Sequence, residues 1–157
     1  VREAAGLISE FAAFIQPVLS LNQNEAEVLT RSIGLPVSDS EAMALRLREA
    51  LSCSLVVIHH LDGACCAGAE GCFRCANKRI EKPRLSTGGG DNFNAGFVLA
   101  LLLGLTPGQA LFTANAVSGY YVSQGKSPDR EELIGWMEAY GTEIIPGEFY
   151  RPEQKKG

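Results

Sequence analysis

Three consecutive glycines, Gly88 to Gly90, run into Asp91, and Asp91 opens an almost wholly apolar stretch that closes at Leu103. The pattern predicts a glycine turn feeding a helix over 91–103. Glycine adopts backbone conformations that other residues resist, and it lets a ligand approach the main chain closely. A helix start offers unpaired N–H groups and the positive end of the macrodipole, which suit an anion such as phosphate. A carboxylate beside a phosphate would repel it. Asp91 is therefore better explained as a base that takes a proton from a hydroxyl attacking phosphorus. The competing reading is a tight turn with Asp91 as an ordinary N-cap.

The rest of the chain is read outward from that junction. Residues 2–16 predict a helix with Ala4, Leu7, Ile8, Phe11 and Ile15 on one apolar face, ended by Pro17. Val18 to Leu21 is consistent with a short buried strand, and a second helix follows over 25–33 before Gly34 and Pro36 break the chain. Ser38 with Glu41 is a capping-box signature for a helix to about Leu51, with Met43, Leu47, Ala50 and Leu51 on one face. Leu55 to Ile58 is short, β-branched and apolar on both faces, as a buried parallel strand is, and His59-His60 follow at its carboxyl end. Residues 64–67 and 72–76, separated by Gly68 to Gly71, predict an antiparallel hairpin. Arg79 to Leu85 is expected to be extended. Thr106-Pro107 supplies an N-cap and a first-turn proline for a helix to about Ser123. A last helix begins near Pro128 and carries Leu133, Trp136, Met137 and Tyr140 inward, and the polar stretch from Gly147 is expected to fray.

Strands alternating with helices imply an α/β layered fold with a mostly parallel sheet. Ligands in such sheets sit at the carboxyl ends of strands. Asn22 to Glu25 and His59-His60 lie at such ends and are expected to face the glycine stretch.

A chain of 157 residues is enough for one domain with a sizeable core. Hydrophobic residues at 46% and charged residues at 20% describe a globular rather than a disordered chain. The net charge is −4, so a nucleic-acid partner is not expected. No stretch approaches the roughly 20 apolar residues of a membrane span, so no membrane partner is expected either. Five cysteines, Cys53, Cys65, Cys66, Cys72 and Cys75, are an odd number, which argues against a complete disulfide framework and for a reducing, cytoplasmic compartment. Cys72 and Cys75 have the spacing of a zinc or redox pair. They fall on a predicted strand, where residues three apart point to opposite faces, and no second pair exists.

Other motifs are weaker. Gly88, Gly90 and Phe93 miss the third glycine of a dinucleotide fingerprint. Gly125-Lys126-Ser127 ends like a nucleotide-binding P-loop, but its first glycine is one residue early and the segment closes a helix instead of opening one. His59-His60 are adjacent on a strand and diverge, so polar lining is a plainer role than metal binding. Asn22 and Glu25, three apart at a strand end, can hold water or Mg2+ through oxygen. The plain alternative for them is a helix cap and a solvated first turn.

Taken together, N-x-x-E after a strand, a buried strand and hairpin, T-G-G-G-D-N-F-N-A-G-F, and a long helix containing Phe112-Thr113-Ala114-Asn115-Ala116 resemble the carboxyl-terminal half of the ribokinase/PfkB carbohydrate kinase family. That family's signature is close to D-T-x-G-A-G-D-x-F-x-A-G-F. The resemblance runs from about Val18 to Tyr140. It implies a three-layer α/β/α ribokinase-like (Rossmann-like) fold, here partial. It also implies ATP-dependent phosphoryl transfer to an alcohol group of a sugar or sugar-like substrate, with ATP and Mg2+ as cofactors. By position, Asp91 corresponds to the catalytic base and Gly88, Gly89 and Gly90 to the anion hole for the transferring phosphoryl group. Asn22 and Glu25 correspond to the motif that organises Mg2+ and its waters, with Glu25 acting through water. Gly63 and Asn115 resemble parts of the nucleotide pocket.

Several positions depart from the pattern. Gly89 stands where alanine is usual, which the backbone should tolerate. Leu85 takes the place of the leading aspartate, which puts the family's monovalent-cation site in doubt. His60 stands where a glycine is common, which bears on how the nucleotide phosphates are held. Family members are also about twice as long, and their amino-terminal half supplies the lid and most sugar contacts. The expectation is therefore a single domain over 1–157, a fragment or truncated homologue carrying the nucleotide half of the active site. Such a half-sheet leaves an unpaired edge and an uncovered apolar face, so self-association or poor stability is expected. The alternatives retained are a nucleotide-binding or interaction module without catalysis, and a small zinc protein.

Overall fold

The computed structural model describes residues 1–35, 37 and 39–143. The element order is α1 (Arg2–Phe11), β1 (Val18–Asn22), α2 (Gln23–Ser32), α3 (Ser40–Leu51), β2 (Leu55–His60), β3 (Gly63–Gly68), β4 (Gly71–Ala76), α4 (Gly89–Leu102), α5 (Pro107–Gln124) and α6 (Arg130–Glu143). The described residues divide into two compact units. The first holds residues 1–60 and 65–74, and the second holds residues 61–64 and 75–143.

In the first unit β1 and β2 pair in parallel, with Val18 opposite Leu55 and Asn22 opposite His59. The strand order is β1-β2-β3-β4. The sheet is thus mixed: a parallel pair joined by the α2–α3 crossover, then the β3–β4 hairpin across Ala69-Glu70. Val56, Val57 and Ile58 of β2 are fully buried, as expected for a strand covered on both faces. Met43, Ala44, Leu47 and Leu51 of α3 and Ala26 and Leu29 of α2 close the core against Cys65, Ala67 and Cys72 of the hairpin. Thr30 is buried in α2, and its hydroxyl donates to the Ala26 carbonyl at 2.8 Å, which removes the cost of an unpaired polar group.

Three local expectations need correction in this unit. Helix α1 stops at Phe11, not at Gln16, because the chain tightens through bonds from Ala13 N–H to Glu10 and from Phe14 N–H to Phe11. Ala5 and Ile8 face the core, whereas Leu7, Phe11 and Ile15 are more than half exposed. The cap of α3 is Asp39, whose carboxylate accepts from Ala42 N–H at 2.8 Å. Ser38 and the break at Pro36 lie outside the described residues. Ala44, not Ala50, completes the buried face of α3, since a helix packed on a sheet buries adjacent positions as well as those one turn apart.

In the second unit α4 and α5 pack face to face. Gly96 lets them approach: a Cβ there would lie 3.0 Å from Ala114 Cα and from Val117 Cβ. Phe93 and Phe97, one turn apart on α4, stack at 6.3 Å and are buried. The opposite side of α4 presents Val98, Leu99, Leu102 and Leu103, with Leu102 80% exposed. Helix α5 is capped by a reciprocal Thr106–Gln109 box with Pro107 in its first turn, and Gly125 closes it in the left-handed region at φ 77°. Tyr120 on α5 meets Trp136 on α6 edge-on at 5.6 Å. Leu133, Trp136 and Met137 are half-buried. The side chain of Tyr140 and the stretch from Gly147 lie outside the described residues. Residues 79–85 belong to no helix or strand, and the N–H groups of Arg84 and Leu85 both reach the Val122 carbonyl. No helix of the described residues is long and apolar enough to cross a membrane.

Candidate active site

The glycine junction is built within the second unit. Gly88 is the N-cap of α4 at φ 89°, a left-handed conformation, and no side chain caps the helix. Asp91 is therefore the third residue of α4 and not its cap, and it is exposed to solvent. The close approach of α5 explains the small residues. A Cβ on Gly88 would lie 2.8 Å from the Tyr121 hydroxyl, and one on Gly89 would lie 3.3 Å from Val122 Cγ2. At Gly89 an alanine would thus press on Val122, a tighter fit than the backbone alone suggests. Three side chains hold the turn. Tyr121 Oη donates to the Thr87 carbonyl at 3.1 Å, Asn92 Nδ2 to the Gly88 carbonyl at 2.9 Å, and Ser118 Oγ to the Gly89 carbonyl at 2.9 Å. Sequence reasoning passed over all three. The one signal present is that Ser118 and Tyr121 fall three apart on α5, and so on one face.

In the first unit, Asn22 and Glu25 form a reciprocal capping box at the start of α2. Asn22 Oδ1 accepts from Glu25 N–H at 2.9 Å, and Glu25 Oε2 accepts from Asn22 N–H at 2.8 Å. The helix-cap reading of this pair is realised. It also fixes an exposed carboxylate at the carboxyl end of β1. His59 stands opposite Asn22 at the end of β2. Burial pushes the His59 imidazole below its usual range, against an opposing pull from the Glu25 carboxylate and with a smaller push from His60. His60 is half-buried at the last position of β2.

Gly63 and Asn115 converge on the open end of the hairpin, again within the second unit. A Cβ on Gly63 would lie 2.6 Å from the Cys75 carbonyl oxygen, so a glycine is needed for that approach. Asn115 is 1% exposed, and its amide donates to the carbonyls of Cys75 at 3.2 Å and Ala76 at 3.4 Å. Its donors are spent on backbone. Cys72 belongs to the core of the first unit, and Cys75 is half-buried in the second. Among the described residues no group of three or more His, Cys, Asp or Glu is placed to hold a metal ion. A hydrogen bond with Cys72, followed by burial, pushes Cys65 far up, and burial pushes Cys66 up to about 12. Gly125 closes α5 and Lys126 pairs with Glu132, which leaves no phosphate loop at that glycine-lysine step.

The site residues thus fall into three groups: Asn22, Glu25 and His59 at one sheet end; Gly63 with Asn115; and Gly88 to Asp91 at the start of α4. Their residue types suit phosphoryl transfer, which needs oxygen ligands for a cation, N–H donors for phosphate oxygens and a carboxylate base.

Comparison with known proteins narrows this. A model of the prokaryotic ketohexokinase family matches residues 1–140. The ketohexokinase of Haloferax volcanii is 30% identical over 139 residues, covering 87% of this chain and 37% of that protein. Among solved structures, a PfkB protein from a Polaromonas species is 25% identical with a TM-score of 0.63, over 85% of this chain and 40% of its own. Thermotoga maritima ribokinase, at 23% identity, superposes with a TM-score of 0.69 over 83% of this chain and 44% of its own, which shows the fold. The chain therefore spans well under half the length of these relatives, and its fold is the α/β ribokinase-like one, in part. With the family match extending over most of its length, the chain belongs to the prokaryotic ketohexokinase family, within the ribokinase/PfkB carbohydrate kinases.

Proposed function

We propose that this chain carries the phosphoryl-transfer part of a kinase that moves the terminal phosphoryl group of ATP to a hydroxyl of a ketohexose. One observation carries the reading. In a chain of the ketohexokinase family, an exposed carboxylate, Asp91, stands in the first turn of a helix whose N-terminus is three glycines with no side-chain cap. A cap would occupy the N–H groups that an anion needs. Asp91 would take the proton of the attacking hydroxyl as the oxygen–phosphorus bond forms. The N–H groups of Gly88, Gly89 and Gly90 would meet the charge on the phosphoryl oxygens.

The oxygen donors at the end of β1 fit a hydrated Mg2+. Glu25 Oε2 is engaged by the cap, so Oε1 is the oxygen that would reach the cation's waters. Bound Mg2+ supplies charge neutralisation at the nucleotide phosphates. Asn115 and Gly63 would act on the nucleotide pocket through the backbone of Cys75 and Ala76, because that is what they touch. The chain would work as one domain with nucleotide and sugar as partners, in a reducing, cytoplasmic setting that suits five free thiols.

The test is Asp91→Asn in the protein as its host makes it, with phosphoryl transfer assayed over a ketohexose panel and ATP–Mg2+ binding titrated in parallel. The expected result is a loss of turnover of about 10²–10⁴-fold with nucleotide affinity unchanged. Retained turnover removes Asp91 from the base role. Nucleotide binding by the unsubstituted protein without turnover on any sugar supports a non-catalytic nucleotide-binding module instead.

A further inference from the structure

Carbonyl groups of three consecutive residues, Thr87, Gly88 and Gly89, each accept a hydrogen bond from a different side chain. The donors are Tyr121 at 3.1 Å, Asn92 at 2.9 Å and Ser118 at 2.9 Å. A trans peptide unit is planar, with the C=O of one residue and the N–H of the next pointing in opposite directions. A bond that fixes the Thr87 carbonyl therefore aims the Gly88 N–H. In the same way the Gly88 carbonyl aims the Gly89 N–H, and the Gly89 carbonyl aims the Gly90 N–H. The Gly88 carbonyl also accepts the Asn92 N–H at 3.0 Å at the start of α4, and the side-chain bonds add to that helical bond on a run of residues with no side chains of their own.

Asn92 can serve this purpose only with its amide turned one way. The Ser127 hydroxyl donates to Asn92 Oδ1 at 2.8 Å, which leaves Nδ2 to donate to the Gly88 carbonyl. With the amide reversed, Oδ1 would face the Gly88 carbonyl oxygen, so that carbonyl fixes the orientation, and the Ser127 hydroxyl holds the far end of the amide in place. Ser127 lies in the exposed connection between α5 and α6, so the Asn92 side chain is braced from 35 residues away along the chain. The Gly89 N–H also lies 3.4 Å from the Ser86 carbonyl, at the weak limit of a hydrogen bond, and the side-chain bonds on the other edge of the turn are shorter.

We infer that Asn92, Ser118 and Tyr121 are positioning residues for the phosphoryl-binding N–H groups of Gly88, Gly89 and Gly90, and that Ser127 braces the Asn92 side chain in place. The inference rests on the kinase reading for its functional meaning. Its geometric content can be tested without it. The bonds of the four side chains go to the backbone carbonyls of the turn and, for Ser127, to Asn92. Their effect is on the direction of donors, and donor misplacement weakens stabilisation of the transition state more than ground-state binding.

The experiment uses the whole protein as its host makes it and the variants Asn92→Ala, Tyr121→Phe, Ser127→Ala and Ser127→Thr. Two quantities are read: the amide resonances of Gly88, Gly89 and Gly90 without ligand, and kcat and KM for the sugar. Tyr121→Phe removes one hydroxyl and keeps the ring. Ser127→Ala removes an exposed hydroxyl, so both variants are expected to fold even where Asn92→Ala does not. The glycine resonances are expected to shift in Tyr121→Phe and Ser127→Ala and to return in Ser127→Thr. Turnover is expected to fall about tenfold in Asn92→Ala and severalfold in Ser127→Ala, with KM unchanged and recovery in Ser127→Thr. Unmoved glycine resonances with unchanged kcat, whatever happens to the melting temperature, overturn the inference. If the unsubstituted protein transfers no phosphoryl group, the kinase reading fails. The resonances then decide the inference alone: shifts reversed by Ser127→Thr sustain it, and their absence overturns it.

Discussion

Replacing Gly88 by alanine tests how the turn is held together. Gly88 has φ 89°, and an L-residue there costs about 1 kcal/mol relative to glycine. The added Cβ would lie 2.8 Å from Tyr121 Oη and 3.2 Å from Tyr121 Cζ. Tyr121 is half-buried and meets the Cβ with the far end of its side chain, so the ring swings aside instead of straining the helix. In doing so it gives up the 3.1 Å bond to the Thr87 carbonyl, worth about 1 kcal/mol net. Gly88→Ala is therefore expected to cost about 2 kcal/mol, or roughly thirtyfold in the folded-to-unfolded ratio. Tyr121→Phe alone should cost about 1 kcal/mol. The double variant should also cost about 2 kcal/mol and not the sum of about 3, because the same bond is lost once. Urea unfolding of the four proteins measures this. At a typical slope of about 2 kcal/mol per molar, Gly88→Ala lowers the midpoint by about 1 M. Strict additivity in the cycle, or a neutral Gly88→Ala, would refute the reasoning.

Three further perturbations can be stated in the same way. Gly96→Ala puts a Cβ 3.0 Å from Ala114 Cα, a backbone atom that cannot rotate away. The overpacking cost of about 1–3 kcal/mol outweighs the roughly 1 kcal/mol gained in helix propensity, so the variant melts lower. Gly135→Ala on α6 meets nothing within 4 Å and should be stabilising by about 0.5–1 kcal/mol. Circular-dichroism melts that rank the two the other way would contradict the packing argument. Glu132 accepts from Lys126 first, then from the Asp129 N–H and the Tyr120 hydroxyl, which hold its carboxyl down at about 2, against an ordinary 4.5. Because the folded value is the lower one, the stability Glu132 contributes is full above 4.5 and is lost as the pH falls toward 2. Glu132→Gln should flatten the stability-versus-pH curve on that acid limb, and a Glu132 carboxyl resonance titrating near its ordinary value would dispose of the idea.

Much of this protein is written locally. The Thr106 cap with Pro107, the cap at Asn22 and the β-branched run of β2 are legible because their partners lie within four residues or within one strand. The same locality made the family recognisable from N-x-x-E and the T-G-G-G-D run. Where two local signals competed, the contacts chose. Asp39 caps α3 where Ser38 carried the expected box, and α1 ends at Phe11 although its apolar spacing continues to Ile15. A face can be apolar and still stay more than half exposed, as Leu7 and Phe11 show.

The sequence by itself thus determined the elements, the order of strands and helices, and the residue types at the glycine junction. Only the tertiary structure decided that Gly88, not Asp91, caps α4, and that Tyr121, Ser118 and Ser127 reach across 34, 29 and 35 residues to hold the turn. It also decided that Asn115 spends its amide on the Cys75 and Ala76 carbonyls, 40 and 39 residues away. The reason is physical. A cap or a strand preference is satisfied by neighbours along the chain, whereas a buried donor is satisfied by whichever acceptor the packing of helices brings within about 3 Å.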